Sequence, residues 1–194
     1  MGSKQVFTKM DLRWGYNNVC IKEGDEWKVA FTTHVGSFEP VVMFFGMTNS
    51  PATFQAIMNE ILRNMINKGK VAAFVDDVLV RMETEEGHDK VVEEVLRRTE
   101  TEEGHDEVVK EVLRRLEEND LYVKPEKCVW KVRKVPFLGV VMGERRVEME
   151  EDKVEGVLKW PMPQYVRDVR KFLGLANYYR RFVKNFAKVA LSMN

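Results

Sequence analysis

The stretch Ala73-Phe74-Val75-Asp76-Asp77-Val78-Leu79-Val80 decides the fold, because it places two adjacent carboxylates between two apolar runs. Both runs are typical of strands, so they predict a hairpin with the acidic pair at its turn. Two neighbouring anions repel each other, and hard oxygen ligands of this kind suit Mg²⁺. Asp is also common in turns, so an isolated Asp-Asp pair is more often structural than metal-binding.

A second acidic strand end precedes this hairpin. Residues 5–11 alternate as on a strand, and Asp11 ends the run just before a turn-like Trp-Gly-Tyr. If the two strands are neighbours, Asp11 and Asp76 would face each other across the sheet and hold two cations. Successive side chains of a strand point to opposite faces, so we predict Asp11 and Asp76 as the main ligands and Asp77 as the lesser one.

Six segments follow one another along most of the chain. They are FTKMDLR (7–13) with GY (15–16), FGMTNSPATFQ (45–55), FVDD (74–77), LYVKPEKC (121–128), FLG (137–139) and FLGLANYYRRF (172–182). Each segment alone has low specificity, whereas the ordered set is highly specific. The chain resembles the palm and thumb region of the reverse transcriptase, an RNA-directed DNA polymerase, in the Pol polyprotein of gypsy-type LTR retrotransposons and retrovirus-like elements.

The resemblance implies an α+β fold. In such a fold an antiparallel, polymerase palm-like sheet is backed by helices and followed by a small helical, thumb-like segment. We therefore predict a palm with partial fingers over residues 1–147 and a helical thumb-like segment over residues 148–194.

The resemblance also implies primer extension by two-metal nucleotidyl transfer. Asp11, Asp76 and Asp77 would be catalytic and would hold two Mg²⁺ ions, for which Mn²⁺ can substitute. The implied partners are an RNA or DNA template with a DNA primer, deoxynucleoside triphosphates and the remaining polyprotein segments, without a membrane.

Two groups of residues would form the nucleotide pocket. One follows Asp11, and the other lies just before a helix that is predicted to begin near Ser50. Tyr16 lies where relatives place a bulky aromatic ring against the sugar, which would exclude a ribose 2′-hydroxyl; the alternative is a half-buried aromatic residue. The predicted nucleotide-binding residues are Leu12, Trp14, Gly15, Tyr16, Phe45 and Gly46.

The primer and template contacts would come from two further regions. In the relatives the Phe-Leu-Gly hairpin grips the primer end; the alternative is that this segment is simply an edge hairpin. Basic helices of the relatives hold the duplex; the alternative is that these basic residues only solvate the helix faces. The predicted contacts are Phe74, Phe137, Leu138, Gly139, Arg167, Arg170, Lys171, Arg180, Arg181 and Lys184.

The formal net charge of zero hides a segregation of charge along the chain. Residues 83–118 contain 14 acidic and 6 basic residues, whereas residues 121–146 contain 7 basic and 2 acidic residues. Residues 161–194 contain 7 basic residues and 1 acidic residue. Basic segments interleaved with aromatic residues attract a phosphate backbone, although lysines and arginines also solvate helix faces.

A tandem 17-residue duplication occupies residues 83–116. Residues 83–99 recur as 100–116, and the copies differ only at Lys90/Glu107, Glu93/Lys110 and Thr99/Leu116. We predict that the second copy docks on the palm, since Leu116 and Leu121 continue its apolar stripe, and that the first forms an extra hairpin or an exposed helix. Gly87 and Gly104 are predicted breaks, and His88 and His105 are predicted to be solvated.

Other features bound the setting of the protein. No apolar run approaches the roughly 18 residues that a membrane helix needs, and two distant cysteines do not indicate a disulfide framework. We expect an intracellular protein, in the cytoplasm, in a virus-like particle or in the nucleus. The start so near the first motif predicts a fragment that lacks N-terminal fingers, and the end soon after the thumb-like segment predicts that RNase H is lacking as well. The alternative is a catalytically inactive, retroelement-derived nucleic-acid-binding or scaffold protein.

Overall fold

The chain folds into two compact units. A computed structural model describes residues 4–84, 102–143 and 146–191. The first unit is Met1–Val135 and the second is Pro136–Asn194, so the predicted domain boundary after residue 147 lies inside the second unit. Both helices and antiparallel strands are present, and the predicted α+β fold class is confirmed.

The first unit is built on a four-stranded antiparallel sheet. The strands of the first unit, within and outside this sheet, are β1 (Lys4–Asp11), β2 (Phe31–Thr33), β3 (Gly36–Phe38), β4 (Val71–Phe74), β5 (Asp77–Thr84) and β6 (Val129–Val132). The main sheet has the order β4-β5-β1-β6, and β2 pairs with β3 in a separate hairpin. Residues 26–29 form a 3₁₀ helix just before β2, and within residues 121–123 Val123 makes an isolated bridge to Leu12.

The pairing of β1 with β5 brings the two acidic strand ends together. The strands run antiparallel from Lys4 opposite Thr84 to Asp11 opposite Asp77. On the covered face, Met10 and Val78 lie opposite each other and are fully buried. The alternation along β1 therefore sets the register, because a slip by one residue would expose this apolar face.

The covered face of the sheet packs against helices. The first unit contains α1 (Ser50–Ile61), α2 (Arg63–Asn67) and α3 (Glu102–Glu117). Phe54, Met58 and Leu62 are fully buried in one core with Met10 and Val78. Burial of each such side chain contributes about 1.5–3 kcal/mol. The single helix predicted from the apolar spacing is interrupted at Leu62, where α1 ends and α2 begins.

The helix α3 is the second copy of the duplication, and it docks on the first unit as predicted. Val109, Val112 and Leu116 are buried in the same core as the sheet. Gly104 lies inside α3, so the predicted break at this position is wrong. Almost all of the first copy, including the predicted break at Gly87, lies outside the described residues.

His105 is buried rather than solvated, which corrects the prediction. Its exposed fraction is 0%, and its Nε2 lies 2.7 Å from Thr8 Oγ1 on β1. Thr8 Oγ1 also accepts the Lys131 N–H at 3.1 Å, so its own hydrogen is available for His105 Nε2. The three residues link α3, β1 and β6.

The second unit combines a small sheet with three helices. Its elements are β7 (Lys134–Phe137), in which the unit boundary falls, β8 (Val140–Gly143), β9 (Arg146–Met149), α4 (Glu151–Leu158), α5 (Val166–Tyr178) and α6 (Phe186–Leu191). The sheet order is β7-β8-β9. A turn at residues 138–139 separates β7 from β8. The helix α5 continues to Tyr178, and α6 begins only at Phe186.

Two further features concern the chain as a whole. None of the helices within residues 4–84, 102–143 and 146–191 is long and apolar enough to cross a membrane. Both cysteines are free thiols: Cys20 is exposed and Cys128 is half-buried. Burial raises the pKa of the Cys128 thiol, which keeps it neutral.

Candidate active site

The acidic pair lies at a two-residue turn between β4 and β5. Phe74 and Asp77 close the hairpin as opposite residues, and Val75 and Asp76 connect them. Val75 has a φ of 51°, in the left-handed region that β-branched residues rarely adopt. The Asp76 carbonyl accepts the Leu12 N–H at 2.8 Å, which ties the turn to the end of β1.

Asp11 and Asp76 provide two buried carboxylate oxygens. The Oδ1 atoms of both residues are inaccessible to solvent and have no hydrogen-bond partner within the described chain. Burial raises the pKa of Asp76, and the nearby negative charge of Asp11 raises it further, while Lys124 opposes the rise. The two carboxylates therefore repel each other, and a bound cation would relieve this repulsion.

Two lysines compensate part of this negative charge, and sequence reasoning missed both. Lys124 Nζ lies 3.2 Å from Asp11 Oδ1 without hydrogen-bond geometry, and Lys9 Nζ lies 3.1 Å from Asp77 Oδ1. Asp77 thus has its own lysine, whereas Asp76 has no ion pair with any described residue. The strand register places Asp77, and not Asp76, opposite Asp11, so the expectation that Asp11 and Asp76 face each other across the sheet is wrong. The lesser role of Asp77 stays a prediction.

The donor chemistry fits a hard divalent cation. Across residues 4–84, 102–143 and 146–191, no group of three or more His, Cys, Asp or Glu side chains is arranged to hold a metal ion. Asp76 Oδ1 nevertheless has no partner among the described residues, and Asp11 Oδ1 has only the Lys124 ammonium, 3.2 Å away. Carboxylate oxygens are what Mg²⁺ prefers, often with only one or two carboxylates and the substrate phosphates as ligands. The pair is therefore the candidate metal site.

Gly15 is required by close packing against the acidic turn. A Cβ added at this position would lie 2.2 Å from Asp76 Oδ1 and 2.8 Å from Phe54 Cζ. Real Cβ atoms do not approach other heavy atoms so closely, so a larger residue would displace the carboxylate or the core ring. Gly15, predicted as a nucleotide-binding residue, thus leaves the space that the Asp76 carboxylate occupies.

Tyr16 is buried between two other aromatic rings. Its ring makes edge-to-face contacts with Phe45 at 4.8 Å and with Phe54 at 5.6 Å between centroids. Burial raises the pKa of the Tyr16 hydroxyl, and the negative charge of Asp76 adds to the rise. The structure therefore brings Tyr16 and Phe45 together near Asp76, with Phe45 itself 72% exposed.

The other predicted residues near Asp11 differ in exposure. The Leu12 side chain is buried, so only its backbone faces the acidic turn. Trp14 is exposed with a φ of 52°, and the Arg13 guanidinium lies 4.6 Å from its ring centroid. Gly46 has a φ of 105°, which favours glycine, and Phe74 is exposed at the end of β4.

The Phe-Leu-Gly segment forms a tight hairpin in the second unit. Leu138 and Gly139 have φ values of 50° and 74°, as two-residue hairpin turns require. The Tyr178 hydroxyl donates to the Leu138 carbonyl at 2.6 Å. A Cβ at Gly139 would lie 2.8 Å from the Tyr179 hydroxyl. Sequence reasoning missed both tyrosines as supports of this turn, although they lie in one of the six segments.

The predicted phosphate contacts of the second unit are exposed. A cavity of about 270 Å³ is lined by Phe137, Leu138, Val140, Tyr178 and Arg181. The Arg181 guanidinium also lies 4.7 Å from the Phe182 ring centroid. The remaining cations are all solvent-exposed: Arg167, Arg170, Lys171, Arg180 and Lys184.

Comparison with known families identifies the class of protein. The model of the family described as reverse transcriptase (RNA-dependent DNA polymerase) matches residues 1–142. The chain belongs to the reverse transcriptase family.

Relatives place the chain among retrotransposon sequences. It is 32% identical over 191 residues to the Pol polyproteins of the transposons opus and gypsy of Drosophila melanogaster, with 98% of the chain covered. It is 30% identical over 189 residues, or 97% of the chain, to the Tf2-3 polyprotein of Schizosaccharomyces pombe. The chain spans only 17% of the first two polyproteins and 13% of the third.

Solved structures share the fold. The foamy viral protease–reverse transcriptase in complex with double-stranded DNA matches all of the chain with a TM-score of 0.76 and 22% identity, over 31% of its own length. The same enzyme with an RNA/DNA hybrid matches 97% of the chain with a TM-score of 0.72 and 22% identity, over 23% of its own length.

Proposed function

We propose that this chain is the palm and thumb part of an RNA-directed DNA polymerase that extends a primer by nucleotidyl transfer. The observation that carries the proposal is the pair of buried carboxylate oxygens of Asp11 and Asp76: Asp76 Oδ1 has no partner among the described residues, and Asp11 Oδ1 has only the Lys124 ammonium at 3.2 Å. They lie at the acidic hairpin of a chain in the reverse transcriptase family.

The side chains of this site would divide the work. Asp11 and Asp76 would hold the divalent cations, Mg²⁺ or Mn²⁺, with Asp77 in a supporting position beside Lys9. A cation bound there would lower the pKa of the primer 3′-hydroxyl and neutralise charge on the triphosphate. Lys124 would orient Asp11, and Gly15 would keep space for the Asp76 carboxylate.

Nucleotide selection would depend on the aromatic residues near Asp76. Tyr16 is held by Phe45 and Phe54, so its ring could act as a rigid wall against a ribose 2′-hydroxyl. The exposed Phe45 ring and the backbone of Gly46 would border the incoming deoxynucleoside triphosphate. Base pairing with the template, rather than the protein, would choose the base.

Primer and template binding would use the second unit, and Phe74 of the first unit is a separate proposed primer contact. The Leu138–Gly139 turn is supported by Tyr178, and the exposed cations can contact phosphates without giving up an ion pair to a described acidic residue. The foamy viral enzyme of the same fold was solved with an RNA/DNA hybrid and with double-stranded DNA, which supports duplex partners. We also propose an intracellular location beside other polyprotein segments.

The proposal is tested by primer extension. The chain is incubated with a primed RNA template and deoxynucleoside triphosphates, in Mg²⁺ and separately in Mn²⁺, beside an Asp76→Asn variant. We expect extension by the unaltered chain and its loss in the variant, because the amide cannot replace the carboxylate as a ligand.

Absence of extension in both metals, together with salt-sensitive duplex binding, would contradict the proposal. That result would favour the second candidate function, a retroelement-derived protein that binds nucleic acid without catalysis. The exposed cations of the second unit are the observation that supports this alternative.

A further inference from the structure

The side chain of Gln55 occupies the open edge of β4 beside the acidic turn. β4 is an edge strand of the main sheet. Gln55 Nε2 donates to the Ala73 carbonyl at 3.0 Å, and Gln55 Oε1 accepts the Val75 N–H at 2.8 Å. A carbonyl and an N–H two residues apart are the groups that a neighbouring strand would bind. The carboxamide therefore takes the place of one peptide group of such a strand.

This contact supports an unfavourable backbone conformation. Val75 has a φ of 51°, and the first residue of such a turn is normally glycine. Its N–H lies outside the β4–β5 ladder and is bonded by the Gln55 side chain from α1. A strained conformation persists only when its surroundings hold it, and Gln55 is the polar side chain that does so.

The backbone on the other side of Asp76 is held as well. The Asp76 carbonyl accepts the Leu12 N–H at 2.8 Å. In contrast, Asp76 Oδ1 has no hydrogen-bond partner among the described residues. The position of this carboxylate therefore depends on the backbone, which Gln55 and Leu12 fix from two sides.

We propose that Gln55 is a positioning residue of the active site, whose carboxamide holds the Val75 turn and thereby sets where the Asp76 carboxylate lies beside Asp11. The inference rests on the proposed polymerase function for its catalytic consequence. The clamp itself is defined by contacts within the protein.

Four variants test this role. Gln55→Leu removes both hydrogen bonds to the turn, and Gln55→Glu keeps only an acceptor for the Val75 N–H. The control is Asn59→Ala, which removes a third contact of Gln55, 2.9 Å from Nε2 and away from the turn. Adding Val75→Gly to Gln55→Leu supplies a residue that adopts positive φ without support.

Three readouts are needed: steady-state primer extension, Mn²⁺ affinity, and hydrogen exchange of the Val75 amide. In Gln55→Leu we expect kcat and Mn²⁺ affinity to fall by about 10- to 100-fold, with KM for the primer–template within about twofold of the unaltered chain. Gln55→Glu should retain more activity than Gln55→Leu. Val75→Gly should restore part of the loss, and Asn59→Ala should behave as the unaltered chain.

Unchanged kcat and Mn²⁺ affinity in a folded Gln55→Leu variant would overturn the inference. So would a loss that Val75→Gly fails to restore and that accompanies a collapse of the melting temperature, since this indicates a purely structural role. If the unaltered chain extends no primer, the proposed function fails separately. The clamp is then decided by the Val75 amide: faster exchange in Gln55→Leu supports it, and unchanged exchange refutes it.

Discussion

At the scale of single residues, the active site depends on exact space around Asp76. Its Oδ1 atom is inaccessible to solvent, lies near the charge of Asp11 and has no hydrogen-bond partner within the described chain. Gly15 leaves room for it, and Lys124 reduces the repulsion through Asp11. Substitution of Gly15 or Lys124 should therefore disturb the position or the charge balance of the Asp76 carboxylate.

Gly15→Ala should therefore damage activity more than stability. The new Cβ would lie 2.2 Å from Asp76 Oδ1, which can rotate away, and 2.8 Å from the Phe54 ring, which is buried in the core. We expect primer extension to fall by about 100-fold and the free energy of unfolding to fall by about 1–3 kcal/mol. Both are measured on the same preparation, by primer extension and by urea unfolding.

The control for this change is Gly174→Ala in α5. A Cβ there meets nothing within 4 Å, so alanine should raise the free energy of unfolding by about 0.5–1 kcal/mol. Full activity of Gly15→Ala would contradict the proposed role of this glycine.

At the scale of elements, α3 shows how a duplicated segment is placed. Both copies have the same apolar positions, but the second copy has Leu116 where the first has Thr99. Leu116 is 1% exposed, so this difference lies at a core position. Lys110 and Glu107, the other two differences, are exposed and carry little packing energy.

Leu116→Thr, which copies the residue of the first repeat into α3, should destabilise the protein strongly. Replacing a buried leucine by a smaller, polar side chain removes apolar burial and leaves a hydroxyl in the core, so we expect a loss of about 3 kcal/mol. The exposed change Lys110→Glu, also towards the first copy, should alter the free energy of unfolding by less than about 0.5 kcal/mol. Equal effects of the two substitutions in urea unfolding would argue against Leu116 as the anchor of α3.

His105 makes the docking of α3 sensitive to pH. Burial lowers the pKa of His105 below its ordinary value of 6.5; the nearby Asp106 opposes this shift and Lys131 adds to it. The imidazole of His105 therefore binds a proton more readily in the unfolded chain than in the folded chain. The stability of the folded state is then unaffected by this group above about pH 6.5, and it falls as the pH drops from 6.5 towards the folded-state pKa.

We expect the free energy of unfolding to decrease below pH 6.5 by up to about 1.4 kcal/mol per pH unit from this group. His105→Gln should flatten that part of the profile, whereas His34→Gln, at an exposed position, should not. Urea unfolding between pH 5 and 8 measures both. Parallel profiles for His105→Gln and the unaltered chain would refute the role of His105.

At the scale of the whole molecule, charge is divided between segments. The acidic block includes α3, whose Arg114 is already bonded to Glu111 and Glu118. The second unit instead has exposed cations, and Arg181 lines its cavity. A formal net charge of zero therefore does not describe the surface that a duplex would meet.

Duplex binding should weaken with salt, and Arg181 should contribute to that dependence. We expect Arg181→Gln to reduce the slope of log affinity against log salt concentration by about 0.9 if it contacts one phosphate. Arg114→Gln, at a cation already paired with two glutamates, should leave the slope unchanged. Fluorescence anisotropy of a labelled RNA/DNA hybrid measures the slopes, and identical slopes for both variants would exclude an Arg181 contact.

The amino-acid sequence by itself determined the acidic strand ends, the hairpin between β4 and β5, the α1 core face and the family, because apolar periodicity and short motifs are local properties. Only the tertiary structure decided the partners of these elements. Thr8 and His105 are 97 positions apart. Lys124 pairs with Asp11 at the end of β1, and Gln55 and Gly15 lie against the acidic turn from two other parts of the chain. Such contacts depend on strand register and helix docking, which result from burial over the whole core and not from any local pattern.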